Sequence, residues 1–396
     1  MKVLLVNDYA TPNGGAEIQL HGLRDELRRR GHEVRLLASV AGRSSGDGQA
    51  DFDCFGTLSS GRTLLQTVNL SAARSMQQAV AAFNPDVVHL TMFLTQLSPL
   101  ILRSLRGVPC IYQVVWSRPV CPRGTKLLPD GSPCHDEWGT ACYRHHCLPL
   151  RDWLPLMVQM AMLDRWKSVV DLYVANSDAM KNTLIEHGFN PVTVLWNGTP
   201  VVAARRPLGD RPSVAFVGRL VKEKGVDLAI RAFAHVVAAI PDAQFIVVGD
   251  GPERAAIERL IAALGLDGHV TVLGHLSRHE TEAAISHCWI QVAPSQWVEP
   301  FGLVAIEAQM RGTPIVASAC GGYLESIDDG RTGVLVPPRD EQAWTAHMIA
   351  LLRDRERVEE IGRAGRARAM ALFSEAAIVD QMIDLYARVI RERQPA

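Results

Sequence analysis

The sequence lacks three features that would place it in other classes of protein. No apolar run in its 396 residues approaches the roughly 18–20 residues of a membrane span. Charge is balanced, with 41 Lys and Arg against 42 Asp and Glu, which argues against nucleic acid as the main partner. The apolar start ends at Asn7 and Asp8, too early for a signal peptide. We therefore expect a cytoplasmic protein, with peripheral contact at the inner face of a membrane as a further option.

Two familiar site patterns are also missing. Gly249-Asp250-Gly251 is followed by Pro252 and Glu253, so it does not complete the G-x-G-x-x-G of dinucleotide-binding proteins. This argues against a nicotinamide oxidoreductase. The eight cysteines include no C-x2-C pair. In a cytoplasmic chain they are more typical of reduced or metal-bound thiols than of disulfides.

The length and the 47% hydrophobic content predict two domains. Apolar runs alternate with helical patterns on both sides of a proline- and arginine-rich segment, Asn197–Pro212, which predicts a linker. We expect an α/β fold of two Rossmann-like, doubly wound domains facing each other across a cleft, at residues 1–196 and 213–374, with a long helix over 375–396. The predicted strands are Val3–Asn7, Val34–Ala38, Asp86–Leu90, Cys110–Val115, Leu172–Ala175, Val192–Trp196, Ser213–Val217, Phe245–Val248, Val270–Leu273, Ile290–Ala293, Ile315–Ala317 and Gly333–Val336.

Two glutamates flank the turn that follows one of these strands. Glu299 precedes Pro300-Phe301-Gly302, and Glu307 lies about a turn and a half inside the next helix. Gly302 lets the helix N-terminus approach a ligand closely, and free N–H groups at a helix N-terminus bind phosphate. Because phosphate repels carboxylates, we expect both acids to contact hydroxyl groups. A sugar, a diphosphate and a ribose in a row would satisfy all these groups. For isolated glutamates, two solvated acids would be the favoured interpretation.

Two cations follow the first strand of the second predicted domain. Gly218-Arg219 and Lys224-Gly225 come after Ser213–Val217, and ligands of open α/β sheets bind beyond the carboxyl ends of the strands. Arg219 is suited to grip a diphosphate with its planar guanidinium, and Lys224 to add a point charge. Together they would stabilise the charge on a leaving diphosphate. Taken singly, each is more typical of a surface cation.

Three other strand-end loops are candidates for backbone contacts with a ligand. Asn13-Gly14-Gly15 opens a helix whose N–H groups are well placed to meet phosphate, and Gly249 follows the strand Phe245–Val248. Backbone groups of the segment around Leu276 could contact the edge of a nucleobase. A tight strand–helix turn explains the two glycine loops as well, and a plain N-cap at Ser277 explains the third.

In combination these motifs resemble the family 4 retaining glycosyltransferases of GT-B fold. The likeness covers nearly the whole chain. It implies transfer of a sugar from a UDP- or GDP-linked donor to a hydroxyl acceptor (a glycan, a lipid or a small molecule), with retention of configuration and no cofactor required for catalysis. It also implies that the helix over 375–396 crosses back to the N-terminal domain. The residues that carry it are Glu299-x7-Glu307, Gly218-Arg219…Lys224-Gly225, Gly249-Asp250-Gly251, Gly14-Gly15-Ala16-Glu17 and Gly321-Gly322-x2-Glu325.

The resemblance also implies roles for the candidate residues. Arg219 and Lys224 would neutralise the diphosphate, Glu299 would bind the donor sugar's hydroxyls, and Glu307 the ribose hydroxyls. The acceptor would attack from the leaving-group side, and a diphosphate oxygen would take its proton. Backbone amides that would meet the diphosphate are those of Gly15, Phe301, Gly302 and Leu303.

One motif of the family is absent. A histidine, often followed by aspartate, is common after the fourth strand, and here Val115 and Trp116 stand in those positions. His89 is a candidate to substitute in part, and it is equally plausible as a polar strand-end residue. Trp116 and Arg118 complete the residues predicted for the acceptor side. The absence keeps open a non-catalytic sugar-nucleotide-binding protein, and a nucleotide-sugar epimerase is the other alternative.

A cysteine-rich insert over residues 117–150 lies in the first predicted domain. Cys121, Cys134, Cys142 and Cys147 fall in a stretch rich in proline and glycine, which has little core of its own. A structural zinc bound by four thiolates would hold it together. The spacings x12, x7 and x4 leave unligated or redox-paired thiols as the alternatives.

Two further patterns have ordinary explanations. Asp51-Phe52-Asp53 matches a D-x-D motif by chance, since it is predicted to lie in a loop with no strand before it. The apolar, methionine-rich helix Trp153–Trp166 is explained by core packing. Contact with a lipid-linked acceptor or a membrane surface is the sharper alternative for that helix.

Overall fold

The computed structural model describes residues 1–11, 14–42, 50–59 and 61–393. It forms two compact units: unit 1 comprises Met1–Gly198 with Glu375–Ala396, and unit 2 comprises Thr199–Ser374. Asn13 of the predicted glycine loop and the last three positions of the predicted C-terminal helix lie outside the described residues.

Unit 1 contains a seven-stranded parallel sheet in the order β3-β2-β1-β4-β5-β6-β7. Its strands are β1 (Lys2–Tyr9), β2 (Glu33–Ser39), β3 (Phe52–Cys54), β4 (Val87–Leu90), β5 (Cys110–Val114), β6 (Leu172–Ala175) and β7 (Val192–Val194). Its first six helices are α1 (Gly15–Arg29), α2 (Arg62–Thr67), α3 (Leu70–Phe83), α4 (Thr140–Arg144), α5 (Leu150–Trp166) and α6 (Asp178–Glu186). Short 3-10 helices span Pro99–Leu105 and Lys167–Val169.

Unit 2 contains a six-stranded parallel sheet in the order β10-β9-β8-β11-β12-β13. Its strands are β8 (Ser213–Val217), β9 (Gln244–Val248), β10 (Val270–Gly274), β11 (Ile290–Ala293), β12 (Ile315–Ser318) and β13 (Gly333–Val336). Its helices are α7 (Val226–Ala239), α8 (Arg254–Ala263), α9 (Arg278–Ile285), α10 (Leu303–Arg311), α11 (Tyr323–Ser326), α12 (Glu341–Arg353) and α13 (Arg355–Leu372), with a 3-10 turn at Lys222–Lys224. Each unit is therefore a doubly wound α/β domain, as predicted.

Local sequence explains why these elements begin and end where they do. Val3–Val6 of β1 are fully buried, as a continuous apolar run in a parallel sheet requires. Helix α3 begins after Asn69, whose side chain accepts a hydrogen bond from the Ala72 N–H, and it ends at Asn84 in the left-handed conformation. Ser277 caps α9 in a capping box with Glu280, which confirms the N-cap interpretation.

The last helix, α14 (Glu375–Arg393), returns to unit 1, as the resemblance implied. It packs against α1, β4 and β5. Near its end, Arg393 forms an ion pair with Asp171 at 2.9 Å. The helix buries one apolar stripe, so unit 1 is completed by residues from both ends of the chain. The stripe consists of Ile378, Val379, Met382, Tyr386 and Val389.

One prediction about the sheet is wrong. Asp51-Phe52-Asp53 is not confined to a loop, because Phe52–Cys54 pairs with β2 as the edge strand β3. A three-residue strand carries too few apolar positions to stand out in the sequence. Asp51 accepts a hydrogen bond from the Leu36 N–H at 2.8 Å, which gives it a structural role.

Within the described residues, the longest apolar helices still fall short of what a bilayer crossing demands in length and hydropathy.

Candidate functional site

The predicted residues of unit 2 collect where the strand order reverses. In the order β10-β9-β8-β11-β12-β13 the reversal lies between β8 and β11. Gly218, Arg219 and Lys224 follow β8, and Glu299 and Gly302 follow β11. In doubly wound sheets the crevice at this switch point is where ligands bind. The topology therefore brings the predicted cations and the predicted loop acid to one place.

Lys224 and Glu299 form the centre of this site. The Lys224 Nζ lies 2.8 Å from the Glu299 Oε2. The same oxygen accepts hydrogen bonds from the Trp297 Nε1 at 2.9 Å and from the Ser295 Oγ at 3.1 Å. Lys224 also lies over the Trp297 ring. Glu299 is 7% exposed, so its carboxylate is held in one position by two neutral donors and a cation.

The turn before α10 depends on a residue without a side chain. Gly302 is the N-cap of α10 and has φ 85°. A Cβ atom at Gly302 would lie 2.1 Å from the ring of Tyr323. Phe301 is buried beside it, and Leu303 begins the helix. The tight turn leads directly from Glu299 into α10, and free N–H groups at a helix N-terminus can bind an anion.

A second close approach joins the loops after β8 and β9. A Cβ atom at Gly249 would lie 1.8 Å from the Gly218 carbonyl oxygen. The Leu220 N–H donates to the Asp250 oxygen at 2.9 Å in the same contact. Arg219, between these contacts, is exposed at the strand end. The two glycine loops are thus packed together at the edge that also carries Lys224.

Glu307 and Leu276 lie in less open surroundings. Burial raises the pKa of Glu307, and Arg311 and Arg278 oppose the shift. Glu307 is half-buried, and no hydrogen bond joins its carboxylate to another described residue. A ligand that donates hydroxyl hydrogens would satisfy it. Leu276 is half-buried against the Ala215 and Val248 cluster, so only part of it faces solvent.

Unit 1 has its own switch point, between β1 and β4, and Asp8 occupies it. Its carboxylate is fully buried and accepts from the N–H groups of Thr95, Gln96 and Leu97 and from the Thr95 hydroxyl, at 2.6–2.8 Å. Burial raises the pKa of Asp8, and these hydrogen bonds oppose the shift. Asp8 thereby fixes the segment after β4 against the end of β1.

The glycines predicted to meet the diphosphate open α1 in unit 1. Gly14 is the N-cap of α1 and Gly15 its first residue, which is exposed. Glu17, 7% exposed, places a carboxylate oxygen 2.5 Å from where a Gly14 Cβ would lie. Burial raises the pKa of Glu17, its own backbone N–H opposes the shift, and Asp8 adds to it.

The burial of His89 argues against its predicted acceptor-side role. His89 is fully buried, and its Nδ1 is hydrogen-bonded to the Tyr386 hydroxyl at 2.6 Å. Burial lowers the pKa of His89 to about 4. The side chain therefore joins β4 to α14 in the interior of unit 1.

Arg118 is also buried, which argues against its predicted acceptor-side role, whereas the acceptor-side role of Trp116 stays a prediction. Arg118 is 6% exposed and donates to the Gln66 and Gln159 side chains, both at 3.1 Å. Burial lowers its pKa to about 10. The Trp116 ring packs on Gly124, where a Cβ would lie 2.8 Å away, and its Nε1 has no partner among the described residues. Arg118 is a buried cross-link, and Trp116 covers the start of the cysteine-rich insert.

The cysteines of the insert are free and half-buried. Burial raises the pKa of the Cys142 thiol, and the neighbouring Cys121, Cys147 and Cys134 add smaller effects, which places the four in electrostatic range of one another. In the described part of the chain, however, no group of three or more His, Cys, Asp or Glu side chains is arranged to hold a metal ion. As placed, the thiols do not fit a zinc site, and zinc stays a prediction for metal analysis.

Sequence reasoning missed several residues of these sites. Ser295, Trp297 and Tyr323 surround Glu299 and Gly302, and no spacing rule links Tyr323 to the others. Asp8 directly follows an apolar run, and an acid at the end of a parallel strand was the signal available for it.

Two parallel-sheet α/β units of this kind define the GT-B class. The chain is similar to the solved structure of a sucrose-phosphate synthase from Thermosynechococcus elongatus, with TM-score 0.73 and 23% identity over 99% of this chain and 100% of that one. It is also similar to HepE from Anabaena in complex with UDP and glucose, with TM-score 0.69 and 20% identity over 98% and 100% of the two chains. At these identities the likeness shows the fold.

Sequence comparison then gives the family. One model, described as glycosyl transferase 4-like domain, matches residues 14–198, and another, glycosyl transferases group 1, matches residues 200–368. The chain belongs to the family 4 glycosyltransferases.

Among curated relatives, the alpha-D-kanosaminyltransferase of Streptomyces kanamyceticus is 36% identical over 185 residues, 47% of this chain and 48% of that protein. The D-inositol 3-phosphate glycosyltransferase of Stackebrandtia nassauensis is 33% identical over 237 residues, 57% and 52% of the two chains. The chain thus spans about half the length of these relatives.

Proposed function

We propose that the chain transfers a sugar from a nucleotide diphosphate sugar to a hydroxyl acceptor, with retention of anomeric configuration. The observation that carries the proposal is the Lys224–Glu299 pair at the switch point of unit 2, beside the N-terminus of α10. Cation, carboxylate and free backbone N–H groups together suit a ligand with an anionic and a hydroxylated part. The complex of HepE with UDP and glucose supports a UDP-linked donor, and a GDP-linked donor is the other candidate.

Each group then has a chemical task. Lys224 and Arg219 neutralise the diphosphate, and the N–H groups of α10 bind one of its oxygens. Glu299 orients the donor sugar through its hydroxyls. Glu307 accepts from the ribose hydroxyls, which supplies the donors its carboxylate lacks in the described structure.

The reaction needs no nucleophile from the protein. The bond between the anomeric carbon and the diphosphate oxygen breaks while the acceptor oxygen forms its bond on the same face of the sugar. The acceptor proton passes to the leaving diphosphate oxygen. Charge builds on that oxygen, so preorganised cations beside it lower the barrier. On this proposal, activity is retained in EDTA.

The test begins with binding. UDP, GDP and NAD are compared by calorimetry, and UDP- and GDP-sugars are screened by thermal shift. The preferred donor is then incubated with a panel of acceptors, nucleoside diphosphate release is measured, and the anomeric configuration of the product is read by NMR. Release that depends on acceptor, with retained configuration, is the expected result. Donor turnover without acceptor would indicate an epimerase, and binding without release a binding protein; either result contradicts the proposal.

A substitution at Glu307 tests whether this residue binds the nucleotide. Glu307→Gln is expected to weaken nucleotide binding roughly 10- to 100-fold, because the ribose hydroxyls lose a charged acceptor. Glu360→Gln, at an exposed position of α13, is the matched control and should bind normally. Unchanged affinity in the Glu307 variant would remove the assignment.

A further inference from the structure

Helix α2 has its polar and apolar sides reversed. Its Gln66 and Thr67 are each 6% exposed, whereas Leu64 is 67% exposed. Val68, directly after the helix, is 47% exposed. A surface helix of a globular domain normally buries its apolar stripe and exposes its polar side chains. Leu64 and Val68 are therefore exposed to solvent, while polar side chains of the same segment are buried.

Helix α5 continues the same surface. Leu150, Leu154 and Val158 are 60%, 60% and 46% exposed, and their spacing of four residues lines them up along one side of the helix. The opposite side is core, as the methionine-rich pattern predicted, with Leu156 and Met160 buried. The helix therefore presents a second apolar line that its own domain does not cover.

Polar contacts lock the two helices in this orientation. The Thr67 hydroxyl donates to the Pro155 carbonyl at 3.0 Å, and the Gln159 Nε2 donates to the Gln66 carbonyl at 2.6 Å. Buried Arg118 donates to the side chains of both glutamines. These buried hydrogen bonds would be lost if either helix rolled to hide its leucines. The exposure is built into the packing.

Phe55 extends the surface from the end of β3. Its side chain is 56% exposed, although its N–H donates to the Ser71 hydroxyl at 3.0 Å and its carbonyl accepts from the Asn69 amide at 2.9 Å. Between this segment and the two helices lies an open groove of about 770 Å³. The apolar part of its lining includes Phe55, Leu64, Val68, Leu154 and Val158, and Thr57 is among its polar members.

Arginines outnumber acids around the groove. Exposed Arg62 begins α2, and exposed Arg151 follows Leu150. Residues 61–83 contain two arginines and no acid, and α5 contains two arginines and two acids, Asp152 and Asp164, so these segments together carry a formal charge of +2. Asp152 accepts from the Thr63 hydroxyl and lies 3.6 Å from Arg151, so its charge is partly compensated. In a chain of formal net charge −1, this surface is locally basic.

We propose that this surface of unit 1, formed by Phe55, α2 and the exposed line of α5, docks on an anionic lipid bilayer. Exposed leucines that enter the headgroup region, flanked by arginines that meet lipid phosphates, are the chemistry of interfacial binding. The proposal goes beyond the transfer reaction and does not depend on it. Gln96 joins Thr57 of this surface to the Tyr9 hydroxyl, so the docked face adjoins the strand ends of unit 1.

The test is co-sedimentation of the full chain with phosphatidylcholine vesicles, with and without phosphatidylglycerol. Binding is expected with the anionic vesicles and should weaken with salt. The double variant Leu64→Asp with Leu154→Asp, and separately Arg62→Glu with Arg151→Glu, should each lose roughly ten-fold or more in partitioning. Ile185→Asp, a 42% exposed apolar residue on α6 of the same unit, is the matched control and should bind as the wild type does.

A second measurement locates the contact without weakening it. Leu154→Trp should show quenching by bromine-labelled lipid, since the indole would sit at the boundary between headgroups and acyl chains. Absence of wild-type binding to anionic vesicles, or equal binding by the aspartate double variant, would overturn the proposal. A dimer in light scattering that the same variant converts to a monomer, without vesicle binding, would show that a second copy covers the face. Uptake of a free fatty acid without vesicle binding would show a ligand groove instead; both results also overturn the proposal.

Discussion

At the scale of single residues, Glu299 is engaged by more protein groups than the sequence predicted. One of its carboxylate oxygens accepts hydrogen bonds from Lys224, Trp297 and Ser295. A diphosphate that binds near Lys224 therefore competes with a carboxylate already in place. The two residues therefore have different proposed roles: Lys224 binds the diphosphate, and Glu299 binds the sugar.

That separation gives a prediction for Glu299→Gln. The amide keeps the size of the side chain but removes the ion pair with Lys224. We expect kcat/KM for transfer to fall by roughly 100-fold, because a positioned charge in the site is lost. Affinity for UDP alone should stay the same or rise, since Lys224 is freed for the diphosphate. Steady-state kinetics and calorimetry with UDP check the two halves, and a parallel loss of UDP affinity would contradict the division of roles.

Gly302 provides a test of the turn before α10. Gly302→Ala combines a positive φ with a Cβ 2.1 Å from the Tyr323 ring, so we expect a loss of stability of roughly 2–4 kcal/mol and weaker donor binding. Gly330→Ala is the control, because Gly330 has φ 73° with nothing within 4 Å of the added Cβ. Chemical denaturation should show a smaller loss for the control, about 1 kcal/mol. Equal losses would mean that the contact with Tyr323 carries no cost.

At the scale of helices and strands, the sequence predicts what local composition determines. Leu172–Ala175 and Ser213–Val217 have the predicted bounds because each is a short apolar run between polar turns. Helices α12 and α13 are absent from the predicted elements, although Trp344, Met348 and Leu352 of α12 repeat at helical spacing. The contact of Lys224 with Glu299 bridges 75 positions and arises because β8 pairs with β11. Strand order is a property of tertiary packing, so the sequence could suggest the partners but not the pairing.

The contact between β4 and α14 makes the stability of the fold depend on pH. The pKa of His89 falls from its ordinary 6.5 to about 4 on burial, so the unfolded chain binds a proton that the folded chain resists. Stability should therefore fall as pH drops from about 6.5 to about 4, with up to roughly 3 kcal/mol of the loss due to His89. Denaturation of His89→Gln across this range should show a shallower decline. His235→Gln, an exposed histidine, should follow the wild type; an unchanged slope in the His89 variant would argue against the assignment.

Zinc binding by the cysteine-rich insert is a prediction that metal analysis can test. Its four thiols are near one another but are not arranged as ligands. Metal analysis of protein purified without chelator tests the predicted structural zinc, and a stoichiometry near zero would remove the site. A stoichiometry near one that falls with Cys134→Ser would instead support the four-thiolate site.

At the scale of the whole molecule, the two units have separate cores. Met382 belongs to the core of unit 1, through α14, and Leu352 to the core of unit 2. Met382→Ala and Leu352→Ala each remove buried atoms and should cost about 2–5 kcal/mol. In calorimetry each variant should lower the unfolding transition of its own unit, which assigns the transitions. With assignments in hand, saturating UDP should raise the transition of unit 2, by about 2.7 kcal/mol at a hundredfold excess over Kd. A shift confined to the transition that Met382→Ala lowers would place the nucleotide on unit 1 and remove the basis for the site at Lys224 and Glu299.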